Sequence, residues 1–177
     1  AVRDLLQNRD GLMLGICNGF QALVKLGLVP FGDIRPMDES CPTLTFNTIG
    51  RHQSRLVRTR VASNLSPWLS QCEPGDIHTV AISHGEGRFV CSPELQHQLE
   101  VTGRIATQYV DEAGQPSMDW DVNPNGSVMA IEGITSPDGR VLGKMGHVER
   151  RGDGLYKNVP GNKFMPLFES GVKYFTD

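Results

Sequence analysis

The pattern of apolar and polar positions predicts a strand followed directly by a helix near the start of the chain. The short apolar run LMLGI at residues 12–16 is typical of a strand buried on both faces of a parallel sheet. From Phe20 to Leu28 the apolar residues follow the i, i+3, i+4, i+8 spacing of an amphipathic helix. The first unit is therefore predicted to be a strand, a tight turn and a helix.

The rest of the chain alternates between the two patterns. Further strands are predicted in LTFNTIG and SRLVRTRVA, taken as a pair, and in TVAIS, RIATQYV, SVMAIEGI and RVLGKM. The end of a helix is predicted at AVRDLLQNRD, and further helices are predicted at residues 93–102 and at FMPLFESGVKYF. Strands mixed with helices and Gly-rich corners indicate one α/β layered domain over residues 1–177, with some neighbouring strands antiparallel.

Composition and charge narrow the classes of partner. The 177 residues carry a net charge of −3, which gives no basis for a nucleic-acid or anionic-membrane partner. No apolar run approaches the ~20 residues of a membrane span, and no secretory leader pattern opens the chain. The four cysteines form no C-x-x-C pair, so free thiols and a cytoplasmic location are expected. A zinc site from His78, His84 and Cys91 fits no tetrahedral spacing, and no bound metal or cofactor is expected in this chain.

The segment Gly15-Ile16-Cys17-Asn18-Gly19 has the layout of a nucleophile elbow with cysteine in place of serine. The two glycines let the backbone fold tightly where a Cβ would clash. The following helix points its free amides and positive dipole end at the sulfur, which favours the thiolate, and the Asn18 amide would face an oxyanion. The alternative interpretation is a small buried thiol at a Gly-rich corner.

A thiol nucleophile needs a base, and His147 is the histidine with a supporting pattern. It follows a predicted strand and precedes Glu149 by two residues, so in an extended backbone both side chains point to the same side. Glu149 could then orient the imidazole while its other nitrogen faces Cys17, which is the logic of a catalytic triad. The alternative is an exposed H-x-E in which Glu149 pairs with Arg150 or Arg151.

These motifs resemble those of a known family. GICNGFQ and GHVE resemble the class I glutamine amidotransferases, whose pattern is G-x-C-x-G-x-Q followed far downstream by H-x-E. CNGFQALVKLGLVP, AISHGEGRF, NPNGSVMAIEGITSPDGRVLGKMGHVER and FESGVKYF are similar to the C-terminal amidotransferase domain of phosphoribosylformylglycinamidine synthases. The resemblance covers essentially the whole chain and implies a flavodoxin-like layered mixed sheet flanked by helices.

The resemblance also implies a reaction and a partner. Cys17 would attack the carboxamide of glutamine to give a thioester and ammonia, with His147 as acid and base and Glu149 orienting it. The ammonia would serve a synthase region, in the same polypeptide or a separate chain. That region, with ATP and Mg²⁺, converts formylglycinamide ribonucleotide to its amidine in purine biosynthesis.

Further residues are implied to bind the substrate glutamine. They are Asn18, Gln21, His84, Gly85 and Glu86. Gln21 has the alternative role of bonding to a loop, and His84 that of ordering its own loop.

Two departures from the family pattern affect these expectations. Val148 stands where the family often has proline, but the spacing from His147 to Glu149 is unchanged. Nothing before Cys17 resembles the family's Gly-Gly loop, which supplies half of the oxyanion hole. We therefore expect an N-terminally incomplete domain that lacks its first strands and is by itself a weak or inactive glutaminase.

Other functions remain open at this point. The chain could belong to a class I amidotransferase of the CTP or GMP synthesis type, to a cysteine hydrolase or peptidase, or be a catalytically incomplete docking fragment. The basic residues Arg55, Arg58 and Arg60 could dock a synthase region or form a solvated face.

Overall fold

The computed structural model describes residues 1–176 and contains the predicted elements in the predicted order. The helices are α1 (Val2–Gln7), α2 (Asn18–Leu26), α3 (Leu28–Phe31), α4 (Pro93–Val101) and α5 (Leu167–Lys173). The strands are β1 (Met13–Ile16), β2 (Thr43–Thr45), β3 (Gln53–Val61), β4 (Ile77–His84), β5 (Arg88–Val90), β6 (Ile105–Tyr109), β7 (Ile131–Thr135) and β8 (Val141–Lys144). Two short 3₁₀ turns lie at Pro67–Leu69 and Val128–Ala130.

Six of the strands form one mixed sheet in the order β1-β8-β7-β6-β3-β4. The β1–β8 pair is parallel and the other four pairs are antiparallel, which agrees with the expected mixed sheet. The sheet is curled: His147, just beyond β8, forms an isolated bridge with Ala81 on β4. The two outer parts of the sheet therefore meet near the end of β8.

The predicted pairing of LTFNTIG with SRLVRTRVA is wrong. β2 pairs instead with β5 in a separate two-stranded antiparallel sheet. β3 pairs instead with β4, from Gln53 to Arg60, and its last residues, Thr59 to Val61, pair with β6.

Strand β1 is less buried than its apolar sequence predicts. It lies at the edge of the sheet with β8 as its neighbour, and Met13, Leu14 and Ile16 are only partly buried. The parallel register sets Ile16 opposite Lys144. The residues that follow both strands, Cys17 and Met145, therefore lie at the same end of the sheet.

Two hydrophobic clusters cover the two faces of the sheet, and successive strand residues divide between them. Val141 belongs to the first cluster and Leu142 to the second. Helices α2 and α4 contribute to the first cluster, while Leu69 and Leu167 contribute to the second. This is the layered α/β arrangement expected from the pattern. Within residues 1–176, no helix has the length and apolar character needed to cross a lipid bilayer.

Candidate active site

Cys17 occupies a strained position between β1 and α2. Its backbone adopts φ 54° and ψ −108°, in a half of the map that residues with a Cβ seldom occupy. Its N–H donates to the Lys144 carbonyl at 2.9 Å, so the end of β8 fixes the turn. Such strain persists only where the surroundings impose it, and it projects the side chain away from the strand.

Only one of the two flanking glycines is required by packing. A Cβ at Gly15 would lie 2.5 Å from Leu23 Cδ1 and 2.6 Å from the Gly19 carbonyl carbon. A Cβ at Gly19 would meet nothing within 4 Å. The prediction that both glycines avoid a Cβ clash is therefore wrong for Gly19.

The sulfur of Cys17 is buried but lies next to polar groups. Burial raises the pKa of the Cys17 thiol, and the nearby Glu149 raises it further. The Asn18 amide, which hydrogen-bonds to the sulfur, and Arg150 lower this pKa, but burial outweighs them. The Asn18 amide thus acts in the predicted direction, whereas burial acts against the expected thiolate. The thiol points at the Ser83 carbonyl, with 3.8 Å between Sγ and O.

His147 is held from two sides, and one of its ring nitrogens has no partner among the residues that the structure describes. Its backbone N–H donates to Ala81 O at 2.8 Å, and its Nδ1 lies 2.5 Å from Glu149 Oε1. Its Nε2 is buried and has no hydrogen-bond partner among residues 1–176. Glu149 also lies 3.9 Å from Arg150 Nε, while Arg151 pairs with Glu169. Glu149 therefore contacts His147 and Arg150 at the same time, so the two alternatives considered for it do not exclude each other.

The structure brings Cys17 and the 147–150 segment to one end of the sheet. Cys17 follows β1 and His147 follows β8, its parallel neighbour. The charges of Glu149 and Arg150 are close enough to act on the thiol of Cys17. The catalytic roles of Cys17, His147 and Glu149 stay predictions.

A cavity of about 440 Å³ opens beside Cys17. All five residues implied to bind substrate line it together with Cys17: Asn18, Gln21, His84, Gly85 and Glu86. Three further lining residues were not singled out from the sequence: Phe46, His52 and Ser83. Ser83 could have been suspected because it directly precedes His84, whereas Phe46 and His52 carry no local signal.

Gln21 ties helix α2 to the loop that follows β4. Its Nε2 donates to the Glu86 carbonyl at 2.6 Å. This is the loop-bonding role weighed for Gln21, and it places the side chain at the cavity as well.

Asn47 holds the same loop, and no pattern in the sequence indicated this role. Its backbone N–H donates to Gly85 O at 2.9 Å, and its Nδ2 donates to His84 O at 2.9 Å. Its Oδ1 accepts from Gly87 N–H at 3.1 Å. Asn47 is buried, so these contacts are shielded from water and fix residues 84–87.

His84 is a buried, neutral histidine. Burial lowers its pKa to about 4, and neither ring nitrogen has a partner among residues 1–176. Its ring covers Gly87, where a Cβ would lie 2.3 Å from Cε1. This packing fits the loop-ordering role, while the unpaired nitrogens leave the binding role open.

The two stretches that pointed to one branch of the family contact each other. From NPNGS, Asn125 Nδ2 and Ser127 Oγ donate to Gly87 O at 3.0 and 3.2 Å. Ser127 Oγ also accepts from Phe89 N–H at 3.0 Å. The NPNGS turn therefore holds the HGEGRF loop in place through these three hydrogen bonds.

No group of three or more His, Cys, Asp and Glu side chains within residues 1–176 is placed to hold a metal ion. The basic residues of β3 are partly buried rather than fully solvated. Arg55 donates to Asp121 O at 2.6 Å, and Arg60 donates to Gln108 Oε1 at 3.2 Å.

Comparison with known proteins places the chain in a family. Residues 1–175 match the family of CobB/CobQ-like glutamine amidotransferase domains. Two curated relatives, both phosphoribosylformylglycinamidine synthase subunit PurQ, come from Synechococcus sp. strains JA-2-3B'a(2-13) and JA-3-3Ab. The chain is 36% and 37% identical to them and covers 64% and 63% of their lengths. These matches cover 94% and 93% of this chain.

One solved structure has a fold similar to that of this chain. The structure of PurLQS from Thermotoga maritima superposes with a TM-score of 0.67 at 27% identity, over 94% of this chain and 63% of that one. The chain thus spans less than two thirds of the length of these relatives. By its match over residues 1–175, the chain belongs to the CobB/CobQ-like glutamine amidotransferase domain family.

Proposed function

We propose that this chain hydrolyses glutamine through Cys17, His147 and Glu149 and supplies the ammonia to a phosphoribosylformylglycinamidine synthase. One observation carries the proposal: a strained cysteine follows β1, and a histidine whose Nε2 has no partner in the described part of the chain follows β8, the parallel neighbour of β1. The relatives named as subunits of that synthase, at 36% and 37% identity, support the choice of acceptor reaction.

The first half of the reaction starts from the thiol. Because burial raises the pKa of Cys17, its proton must pass to a base before attack, and His147 Nε2 is the unoccupied acceptor. The sulfur then attacks the carboxamide carbon of glutamine. The Asn18 N–H, already directed at the sulfur, would stabilise the oxyanion that forms.

The second half returns the proton. His147, held at Nδ1 by Glu149, protonates the amide nitrogen as the C–N bond breaks, which releases ammonia and leaves a thioester on Cys17. His147 then takes a proton from water as the water attacks the thioester. Glutamate leaves and the Cys17 thiol is regenerated.

The loop at residues 84–87 forms one wall of the substrate site in this proposal. Its carbonyls already accept hydrogen bonds within the protein, from Asn47 and from Gln21. The loop would therefore contribute N–H groups, at Gly85 and Glu86, to the polar ends of glutamine. His84 would offer a neutral ring nitrogen, since its pKa of about 4 keeps it uncharged near neutrality.

The acceptor reaction requires a partner. ATP and Mg²⁺ would act in a synthase region, since this chain contains no G-x-x-x-x-G-K-[ST] phosphate loop. This chain would contribute the ammonia alone.

The test is a Cys17→Ser variant in the complete synthase. Glutamine-dependent amidine formation should be abolished, while synthesis from added ammonium should continue at the unaltered rate. Equal loss of both activities would contradict the division of labour. If the complete enzyme uses the ammonia to aminate a pyrimidine or purine nucleotide rather than to form the amidine, the chain is a CTP or GMP synthesis type of amidotransferase.

A further inference from the structure

We propose that a buried ion pair, Glu132 with Lys144, positions His147 by clamping the backbone immediately before it. This rests on the proposed function, because it gives the pair a purpose in glutamine hydrolysis. Glu132 and Lys144 are positioning residues and touch neither substrate nor the reacting sulfur.

The pair is completely enclosed. Lys144 Nζ lies 3.1 Å from Glu132 Oε1, and both side chains have no exposed surface. They come from the neighbouring antiparallel strands β8 and β7. The other carboxylate oxygen, Oε2, accepts a hydrogen bond from the Thr107 hydroxyl on β6. The orientation of the carboxylate is therefore fixed from two sides.

Both charged groups also bind the backbone of Gly146. The Gly146 N–H donates to Glu132 Oε1 at 2.5 Å, and the Gly146 carbonyl accepts from Lys144 Nζ at 3.1 Å. That carbonyl shares a peptide group with His147 N, whose N–H donates to Ala81 O at 2.8 Å. The peptide group that carries His147 is thus held at its oxygen and at its nitrogen.

Gly146 allows this close approach. A Cβ there would lie 2.7 Å from Val80 Cγ2 and 2.9 Å from Glu132 Oε1. The pair can reach the backbone only because residue 146 has no side chain.

Stability alone gives little reason for such a pair. A buried ion pair loses so much hydration that a well-packed apolar pair of similar volume is often equally stable or more stable. What an apolar pair cannot do is bind the N–H and carbonyl of Gly146. With the backbone clamped before His147 and Glu149 bound to Nδ1, the position of the imidazole ring is set.

The test compares two double variants in the complete synthase. Glu132→Leu with Lys144→Met fills the space but cannot bind Gly146, whereas Glu132→Gln with Lys144→Gln is uncharged and still able to. Single variants are avoided because they leave an unpaired buried charge. We expect kcat for glutamine hydrolysis to fall by up to about 10²-fold in the Leu/Met variant and less in the Gln/Gln variant. The KM for glutamine should be unchanged, since the cavity walls come from other segments.

Leu99→Ala is the matched control. Leu99 is fully buried on α4, in a cluster to which neither charged residue belongs, so this change lowers stability without touching the clamp. It should leave kcat unchanged. A normal kcat in the folded Leu/Met variant, or a loss of kcat equal to that of Leu99→Ala, would overturn the proposal. If the Leu/Met variant does not fold, the Gln/Gln variant decides. Its uncharged hydrogen bonds to Gly146 are weaker than those of the ion pair, so a partial loss of kcat with an unchanged KM is expected, and an unchanged kcat there overturns the proposal.

Failure of the proposed function gives a different result. In that case the unaltered enzyme itself does not hydrolyse glutamine. The clamp is then tested by the rate at which iodoacetamide alkylates Cys17 as a function of pH. A profile altered in the double variants supports positioning of His147, and identical profiles overturn it.

Discussion

Gly15 and Gly19 flank the cysteine symmetrically in sequence but have different physical roles. A Cβ at position 15 would lie 2.5 Å from Leu23 Cδ1, whereas one at position 19 would meet nothing within 4 Å. The elbow motif predicts the turn correctly, but it does not reveal which glycine the packing requires, because that depends on where α2 lies against β1.

This difference predicts opposite outcomes for two alanine variants. Gly15→Ala should lower the free energy of unfolding by about 1–3 kcal/mol, because the new methyl group overpacks the β1–α2 contact. Gly19→Ala should leave it unchanged or raise it slightly, since alanine is the better helix former. Urea unfolding of both variants measures the difference. Equal losses would contradict the steric account.

The thiol of Cys17 should respond to Arg150. Because the charge of Arg150 lowers the pKa of Cys17, Arg150→Gln should raise that pKa. The pH at which alkylation of Cys17 reaches half its maximal rate should then move upward. Arg151→Gln is the control, since Arg151 pairs with Glu169 and should leave this pH unchanged. A downward shift in Arg150→Gln would show that the arginine does not act on the sulfur.

At the scale of elements, Asn47 makes more hydrogen bonds to the loop after β4 than Gln21, Asn125 or Ser127 does. Asn47 makes three hydrogen bonds to residues 84–87, two from its side chain. Asn47→Ala should free the loop, raise the KM for glutamine and lower the free energy of unfolding by about 1–3 kcal/mol. Amide hydrogen exchange of residues 84–87 reports the freed loop directly.

Asn64→Ala is the matched control for that experiment. Asn64 is exposed, and its amide makes a single long contact of 3.4 Å to Cys72 O. Its removal should alter neither exchange in the loop nor KM. If both variants leave the loop equally protected, Asn47 does not hold it.

The elements themselves were predictable because each has a strong local pattern. Seven elements lie where the sequence pattern predicts them: β1, α2, β4, α4, β6, β8 and α5. The strand partners were not predictable, since β2 and β5 lie far apart in the chain and no local pattern joins them. The contact of Asn125 with Gly87 joins residues 38 apart in the chain, and nothing local indicates it.

At the scale of the whole molecule, buried histidines should make stability depend on pH. His84 has a pKa of about 4 in the folded protein against an ordinary value of 6.5. Below pH 6.5 the unfolded chain gains a proton at this residue that the folded chain cannot take up. The free energy of unfolding should therefore fall as the pH drops from 6.5 to 4, by at most about 3 kcal/mol.

Urea unfolding at pH 7 and pH 5 measures this dependence. His84→Gln should weaken it, while His97→Gln should not, because His97 is exposed. Some dependence should remain in His84→Gln, since burial also lowers the pKa of His78. A pH dependence that is the same in all three proteins would show that His84 is not the group responsible.

The site itself is a product of the whole sheet. The curl that brings β4 against the end of β8 places Ser83 next to Cys17 and anchors His147 on Ala81. From the sequence, the pairing of Cys17 with His147 was inferred from the elbow and the H-x-E pattern and then from the family resemblance. No local pattern joins the two residues, because 130 positions separate them. The Glu132–Lys144 pair was not recognised although each charged residue lies in an otherwise apolar strand, because the contact depends on how β7 and β8 pair.

Labelling with diazo-oxo-norleucine, a glutamine-like electrophile, tests the central claim most directly. The chain contains three other free cysteines as internal controls: Cys41, Cys72 and Cys91. Peptide mass spectrometry should find one adduct per chain, on Cys17, and none in Cys17→Ala. Excess glutamine should protect Cys17, and His147→Ala should slow its labelling. Modification of the more exposed Cys41 in preference to Cys17, or labelling that glutamine does not affect, would contradict the account.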